Sequence, residues 1–423
     1  MGRGGHRVKN RRREERIQAT LGFMQGNTFR PMSRHLPPWR VLGIAAVVVL
    51  CMLGVSGRTQ TLPSFDVTSI ESTASLSLSA AAGDLDSDGD IDLVVVRDRH
   101  PSVLFLNNGD ETFDVLTHVL PSGAFTDVCL ADFDGDGDLD VIIAHDGGPN
   151  PVLLNDGAAE FVAVEQTWTG GPTAGMAVGD LDGDGDCDLL VSEYAAPLCV
   201  WLNDGNGCFE SSEQIFGAAN HRKPVLSDLD DDGDLDAVVP RDFGDASVLL
   251  FNRGDGTFQE PIPMAGLAGQ NGISAAVTDV DEDGDLDVLH GCHGCPDSLW
   301  INGQGVFADS GQALSAGWSY DVVWVDLDSD GHPDLVTANS NSNDQIWLND
   351  GTGQLSPWLD APPPEVLHLC SRRGPQCRRH ARPLLLAIRS AGHHLVGTRV
   401  ERGVVNTAGT CPVARRDQSL NIS

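Results

Sequence analysis

This sequence predicts an all-β fold, a β-propeller of four-stranded blades, on three observations. A nine-residue pattern, Asp-x-Asp-x-Asp-Gly-x-x-Asp, begins at Asp84, Asp132, Asp180, Asp228, Asp279 and Asp326, at intervals of 48, 48, 48, 51 and 47 residues. A second signature, an apolar run ending in Asn, follows the first Asp by 23 residues in five copies and by 24 in the fourth. The segments between the two are short, apolar and β-branched, as in Ile91-Asp92-Leu93-Val94-Val95-Val96, and no helix of useful length is evident. A period near 48 residues marks one structural unit used repeatedly. Four antiparallel strands fit in that length, which is one propeller blade. Six repeats are recognisable, in a ring of six or seven blades.

The elements follow in order within each repeat. A first strand precedes the Asp pattern and a second follows it. A third ends at the Asn of Asn107-Asn108-Gly109, Asn155-Asp156-Gly157, Asn203-Asp204-Gly205, Asn252-Arg253-Gly254, Asn302-Gly303 and Asn349-Asp350-Gly351. Asn with Gly between apolar runs is a hairpin signal. An aromatic residue, Phe113, Phe161, Phe209, Phe258 or Phe307, then opens a fourth strand. These aromatics, with Trp201, Trp300 and Trp347, are expected between blades as core rather than as ligand platforms. Strand parity puts the first–second and third–fourth turns on one face of the disc. The second–third and blade-to-blade connections lie on the other. The segment Leu62–Ala82 could supply a strand that completes the ring.

The Asp pattern carries the chemistry. Positions 1, 3, 5 and 9 are carboxylates in every copy: Asp84, Asp86, Asp88 and Asp92; Asp132, Asp134, Asp136 and Asp140; Asp180, Asp182, Asp184 and Asp188. The later copies supply Asp228, Asp230, Asp232 and Asp236; Asp279, Asp281, Asp283 and Asp287; and Asp326, Asp328, Asp330 and Asp334. Four carboxylates in nine residues repel one another unless a hard cation lies between them, and Ca²⁺ prefers such oxygen clusters. About six Ca²⁺ are expected, with the position-7 carbonyl as a further ligand and the position-6 Gly admitting a tight loop. A solvated acidic turn without metal is the alternative. An EF-hand begins similarly but needs Glu at position 12 and flanking helices. Here position 12 is Val95, Ile143, Val191, Val239, His290 or Thr337.

On these motifs the region from about 61 to 356 resembles the FG-GAP/VCBS-type calcium-binding β-propellers, whose relatives include integrin α-subunit head domains. The resemblance implies calcium in the six Asp loops and a role in adhesion or recognition. It implies no particular partner.

Charge divides the chain into three. Residues 1–60 hold eleven basic and two acidic residues, 361–423 hold ten and three, and the stretch between holds six and 56. So acidic a propeller should repel nucleic acid. Three domains are expected: a basic N-region with signal peptide (1–57), the propeller (61–360) and a basic, non-repeat tail (361–423). The apolar run Val41–Val55 behind Arg34 and Arg40 is short for a membrane span and suits a signal-peptide core, with Val55-Ser56-Gly57 as cleavage site. Met32 offers an alternative start, and an uncleaved anchor is the other reading of the run. With the signal removed no stable membrane span is expected, and the protein is secreted, periplasmic or at the cell surface. The tail is a disordered sorting or surface-binding element or the product of a shifted reading frame.

Export permits disulfides. Cys199 and Cys208 flank the third Asn-Gly turn and could pair across it. Cys292-His293-Gly294-Cys295, with His290 nearby, is read as a local disulfide or free thiols, with a transition-metal site as the alternative. Cys129 and Cys187 are expected to be buried. Arg253-Gly254-Asp255 spells an adhesion tripeptide but occupies a regular turn position.

The function expected is a non-catalytic recognition or adhesion module, not an enzyme, for a protein or glycan ligand. Its working face is opposite the Asp loops, where Arg97-Asp98-Arg99-His100, Glu193-Tyr194, Arg241-Asp242-Phe243 and the Cys/His loop differ from repeat to repeat. The rival is a secreted polysaccharide hydrolase or lyase assisted by calcium. Fold alone cannot decide between them.

Overall fold

The computed structural model describes residues 77–358, apart from 111, 167, 169–170, 195, 217–219, 265, 313, 315–317, 329 and 340–343. The chain divides into Met1–Leu42 and Gly43–Ser423, and every described residue belongs to the second unit. The expected signal peptide, the start at Met32 and the basic tail all lie outside the described residues.

Twenty-four strands form six four-stranded antiparallel blades in a propeller, and no helix occurs among the described residues. The blades span 77–116, 122–163, 173–216, 225–263, 272–309 and 319–357. Every second strand begins on a position-9 Asp: Asp92–Pro101, Asp140–His145, Asp188–Glu193, Asp236–Val239, Asp287–Cys292 and Asp334–Asn339. The ladder closes at that residue, with Gly83 opposite Asp92, Ala131 opposite Asp140 and Gly179 opposite Asp188. The Asp pattern is therefore the first hairpin turn of each blade. The first blade's long second strand also pairs with Ser122–Ala131 of the next, through Asp98 with Ala124 and Pro101 with Ser122, joining two blades into one sheet.

The apolar strands are buried on both faces. In Asp188–Glu193, Leu189 and Val191 pack toward the second blade, while Leu190 packs toward the fourth. Five such clusters join successive blades. The expected aromatics other than Phe113, which packs on Phe105, stand in these seams: Phe209 meets Phe133 edge-on at 5.5 Å, and Phe258 meets Phe216 at 5.7 Å. The outer faces of the first and last blades carry their own clusters, around Phe105 and around Val325 and Ile346.

Three expectations are corrected. Within Leu62–Ala82, the part from Ser77 pairs with Asp92–Pro101 as the ordinary first strand of blade one rather than as an added closing strand, and 62–76 lie outside the described residues. Cys199 and Cys208 are both free, because the register sets Cys199 opposite Ile215 and Asn203 opposite Phe209, leaving Cys208 within the turn. In the fourth blade the added residue reduces the Asn252–Phe258 pairing to an isolated bridge, and the fourth strand is Ile262–Pro263 rather than starting at Phe258.

Candidate metal centre

Each Asp loop is closed by its own carboxylates. The position-1 Asp accepts the position-6 N–H at 3.0–3.1 Å in all six copies, as in Gly89 to Asp84 and Gly185 to Asp180. That Gly has φ between +96° and +100° throughout, a region an L side chain rarely adopts. The position-5 Asp accepts the position-7 N–H at 2.9–3.0 Å, as in Asp186 to Asp184 and His332 to Asp330.

The position-9 Asp ties the loop to the rest of its blade. Asp188 Oδ2 accepts the Leu181 N–H at 2.9 Å, and Oδ1 accepts the Asn203 N–H at 2.8 Å. The same pair of bonds recurs at Asp92, Asp140, Asp236, Asp287 and Asp334. All six carboxylates are buried. Burial pushes Asp140, Asp188, Asp236 and Asp287 up to about 7 and Asp334 to about 6, against the opposing pull of those N–H donors, and raises Asp92 as well.

Carboxylate oxygens from three residues come within 4.8 Å of one another in Asp84, Asp86 and Asp92; Asp132, Asp134 and Asp136; Asp180, Asp182 and Asp188; Asp228, Asp230 and Asp236; and Asp279, Asp281 and Asp287. The position-3 members Asp86, Asp134, Asp182, Asp230, Asp281 and Asp328 are all raised, first by burial and then by neighbouring carboxylates. Asp84 Oδ1 and Asp281 Oδ1 are buried without a hydrogen-bond donor. A cluster of hard oxygens with raised pKa values and unmatched acceptors fits a divalent cation. Asp88, Asp184, Asp232 and Asp283 fall outside those closest triples, each turned to its position-7 N–H.

Three features escaped the sequence reading. Position 7 is itself acidic in five copies, Asp90, Asp138, Asp186, Asp234 and Asp285, and is His332 in the sixth. A Cβ on Gly109, Gly157, Gly205 or Gly254 would meet the position-7 carboxylate of its own blade at 2.3–2.5 Å, so those turn glycines make room as well as supplying φ near +70°. Loops also touch across blades: Ser87 Oγ donates to Asp138 Oδ1 at 3.2 Å, and Glu282 bonds His332 and raises its pKa. The Asn repeat was a readable signal for this chemistry, but its partner lies in another blade.

The third feature is axial. Asp127, in the first strand of blade two, accepts Ser79 Oγ at 2.7 Å, the Met176 N–H at 3.1 Å and Lys223 Nζ at 2.9 Å. Burial would lower Lys223, but Asp127 more than offsets it and leaves the ammonium raised, while burial pushes Asp321 of blade six up to about 6. A lone lysine among the acids of the repeat region was the available signal.

On the opposite face, Arg222 pairs with Asp242 and lies over the Tyr194 ring at 5.9 Å, and Arg241 pairs with Asp245 at 3.2 Å. Phe243 is 67% exposed and Trp318 40%. Cys292 and Cys295 are bonded to each other, and His290 is buried against Ser247 Oγ at 2.9 Å, so no transition-metal set forms there. Arg253-Gly254-Asp255 is spent on its own turn, with Arg253 Nη1 donating to the Phe258 carbonyl and Asp255 accepting from Thr257.

The family pattern described as FG-GAP-like repeat matches residues 84–143, 132–191, 180–239, 228–290 and 326–367, more than half of the chain. No curated protein matches the sequence. Among solved structures, the BP39L lectin from Burkholderia pseudomallei is 14% identical, with TM-score 0.50 over 66% of this chain and 82% of that one. BBS1N, solved in complex with ARL6DN, is 13% identical, with TM-score 0.48 over 71% and 86%. The exotype rhamnogalacturonan lyase YesX is 16% identical, with TM-score 0.41 over 70% and 59%. At these identities the likeness is one of fold.

Proposed function

This chain belongs to the FG-GAP-like repeat family, and from that premise we propose an exported, calcium-stabilised recognition or adhesion module without catalytic activity. The observation that carries the reading is the contrast between the two faces. The Asp face repeats one hydrogen-bonded loop six times, which suits a structural ion in each. The opposite face varies in its side chains among the described residues: it offers Arg222 with Tyr194 in one place and the exposed Phe243 and Trp318 in others. Different side chains on an invariant scaffold suit binding of a protein or glycan.

In this reading the position-1, -3, -5 and -9 carboxylates hold Ca²⁺ with the position-7 carbonyl, and the position-9 Asp also ties the set to its blade. Calcium supplies the charge that lets these carboxylates close together. The hydrolase or lyase reading finds little support. Ser247 Oγ lies 2.9 Å from His290 Nε2, the contact of an activated nucleophile, but the two are 1% and 0% exposed, and burial lowers His290 to about 4. A substrate does not reach that pair.

The test is a glycan and protein array probed with the calcium-loaded protein and with Phe243→Ala and Trp318→Ala variants. Binding lost in the variants, with melting temperature unchanged, is the expected result. Turnover of a bound polysaccharide would overturn the non-catalytic assignment.

A further inference from the structure

The connection after the second strand is braced in the same way in three blades. The last strand residue donates its N–H to a side-chain oxygen five residues on: His145 to Asn150 Oδ1 at 2.8 Å, Cys292 to Asp297 Oδ1 at 2.8 Å, and Asn339 to Asp344 Oδ1 at 2.7 Å. In blade five the brace is anchored again, since Asp297 Oδ2 accepts Ser319 Oγ at 2.7 Å. Isolated bridges, His293 with Trp318 and Asp297 with Leu314, pin both ends of the connection to the segment leading into blade six. His293 also packs edge-on to the Trp318 ring at 4.3 Å.

Blade five alone of the three adds a disulfide to this brace, Cys292–Cys295. Blade two holds the equivalent loop without sulfur, and blade six makes the same brace bond without it, so the bond is not needed for the brace. Its three-residue separation also places it among the cross-links that remove least chain entropy from the unfolded state. Cys292 is 0% exposed, whereas Cys295 is half-buried between the exposed Gly294 and Pro296. Cys295 thus keeps contact with solvent, and Cys292 has none.

We propose that Cys292–Cys295 is a redox-active disulfide that exchanges with external thiols on the face opposite the Asp loops. The loop brace and the unequal exposure of the two cysteines carry the assignment. An external thiolate attacks Cys295 Sγ, the sulfur it can reach. An external–Cys295 disulfide forms, the Cys292–Cys295 bond breaks, and Cys292 leaves as a thiolate that takes a proton from solvent. A second external thiolate attacks the external sulfur of the mixed disulfide and releases Cys295 as thiolate. Two thiols are oxidised to one disulfide, and the protein disulfide is reduced to two thiols. The brace through Asp297 keeps the loop in place during the cycle, and the chemistry does not depend on which ligand the face takes.

The experiment equilibrates the calcium-loaded, folded protein in glutathione buffers of graded reduced-to-oxidised ratio, quenches with a maleimide, and reads the 292–295 peptide by mass spectrometry. The expected result is reversible interconversion between the disulfide and a form labelled at Cys295 with Cys292 left as an unlabelled thiol, with an unchanged far-ultraviolet spectrum and a melting temperature shifted by no more than a few degrees. Cys292→Ser should form a mixed disulfide with glutathione at Cys295, and Cys295→Ser should leave Cys292 unlabelled until the protein unfolds. A peptide that stays oxidised at every ratio until denaturant is added would overturn the proposal. So would a reduced protein that loses its fold, or equal labelling of the two single variants.

Discussion

Asn155 Nδ2 donates to the Leu85 carbonyl oxygen at 2.8 Å, across the seam between the first and second blades. The relationship is a rule of the array. Asn203 reaches Phe133, Asn252 reaches Leu181, Asn302 reaches Leu229 and Asn349 reaches Val280, each at 2.8 Å. The acceptor is always the position-2 residue of the preceding Asp loop, an apolar side chain buried in the seam. The backbone N–H of the same Asn is held by the position-9 Asp of its own blade. Each Asn therefore couples its own loop to the one before. Ion-binding order in one loop should reach the next through this bond.

Asn203→Ala removes a buried donor and leaves the Phe133 carbonyl with the Gly207 N–H as its remaining donor at 2.9 Å. The cost should be about 1–3 kcal/mol, a drop of several degrees in melting temperature. Asn107→Ala should cost less, because its side chain bonds only within its own blade, with Nδ2 donating to the Ile91 carbonyl at 3.2 Å and Oδ1 accepting the Gly109 N–H of the exposed turn at 3.1 Å. Thermal melts of the two variants check the order. Equal losses would show that the inter-blade bond adds nothing.

The two kinds of carboxylate should separate by mutation. Asp188→Ala leaves the buried Leu181 and Asn203 N–H groups without acceptors, so it should lower stability by about 2 kcal/mol or more both with calcium and with chelator. The double variant Asp180→Ala with Asp184→Ala removes carboxylates whose own N–H donors are exposed to water, so its loss should be larger in calcium than in chelator. Melting curves in both media decide, and identical profiles for the two variants would refute the division of roles.

Stability should fall with rising pH without calcium and should not with it. In the metal-free protein, burial raises Asp140, Asp188, Asp236 and Asp287 to about 7, above the ordinary carboxylate value near 3.9. Their contribution is therefore complete below about pH 4 and is lost as pH rises through 7. Calcium favours the ionised form and should cancel that loss. The gap in melting temperature between calcium-loaded and resin-stripped protein should widen steadily from pH 5 to pH 8. A gap of constant size would count against ion binding at these loops.

Calcium removal should act on the whole domain. Elemental analysis after dialysis in millimolar calcium should return about six ions per chain, with affinities of roughly 10⁻⁴–10⁻³ M. Each occupied site adds about 2.7 kcal/mol at a hundredfold excess of ion. Magnesium, which demands a stricter geometry, should restore little of the lost melting temperature. Zero or one ion per chain would leave the loops as solvated turns.

The sequence by itself determined the repeat, the six Asp loops and where most strands begin and end, the fourth strand of blade four excepted, because these depend on contacts within a few residues. The ladder opens on each position-9 Asp because an eight-residue acidic turn must close there, and that turn is complete within the pattern. The docking of blades decided the rest. Asn155 and Leu85 are 70 residues apart, and Lys223 and Asp127 are 96 apart, so no local pattern distinguishes a seam bond from a hairpin signal or an axial ion pair from a stray lysine. Register decided the cysteines: Cys199 and Cys208 flank one turn yet do not face each other, whereas Cys292 and Cys295 sit on a loop that bends back on itself. Local chemistry is written in neighbouring residues, while the acceptor for a buried donor is supplied only when the neighbouring blade packs against it.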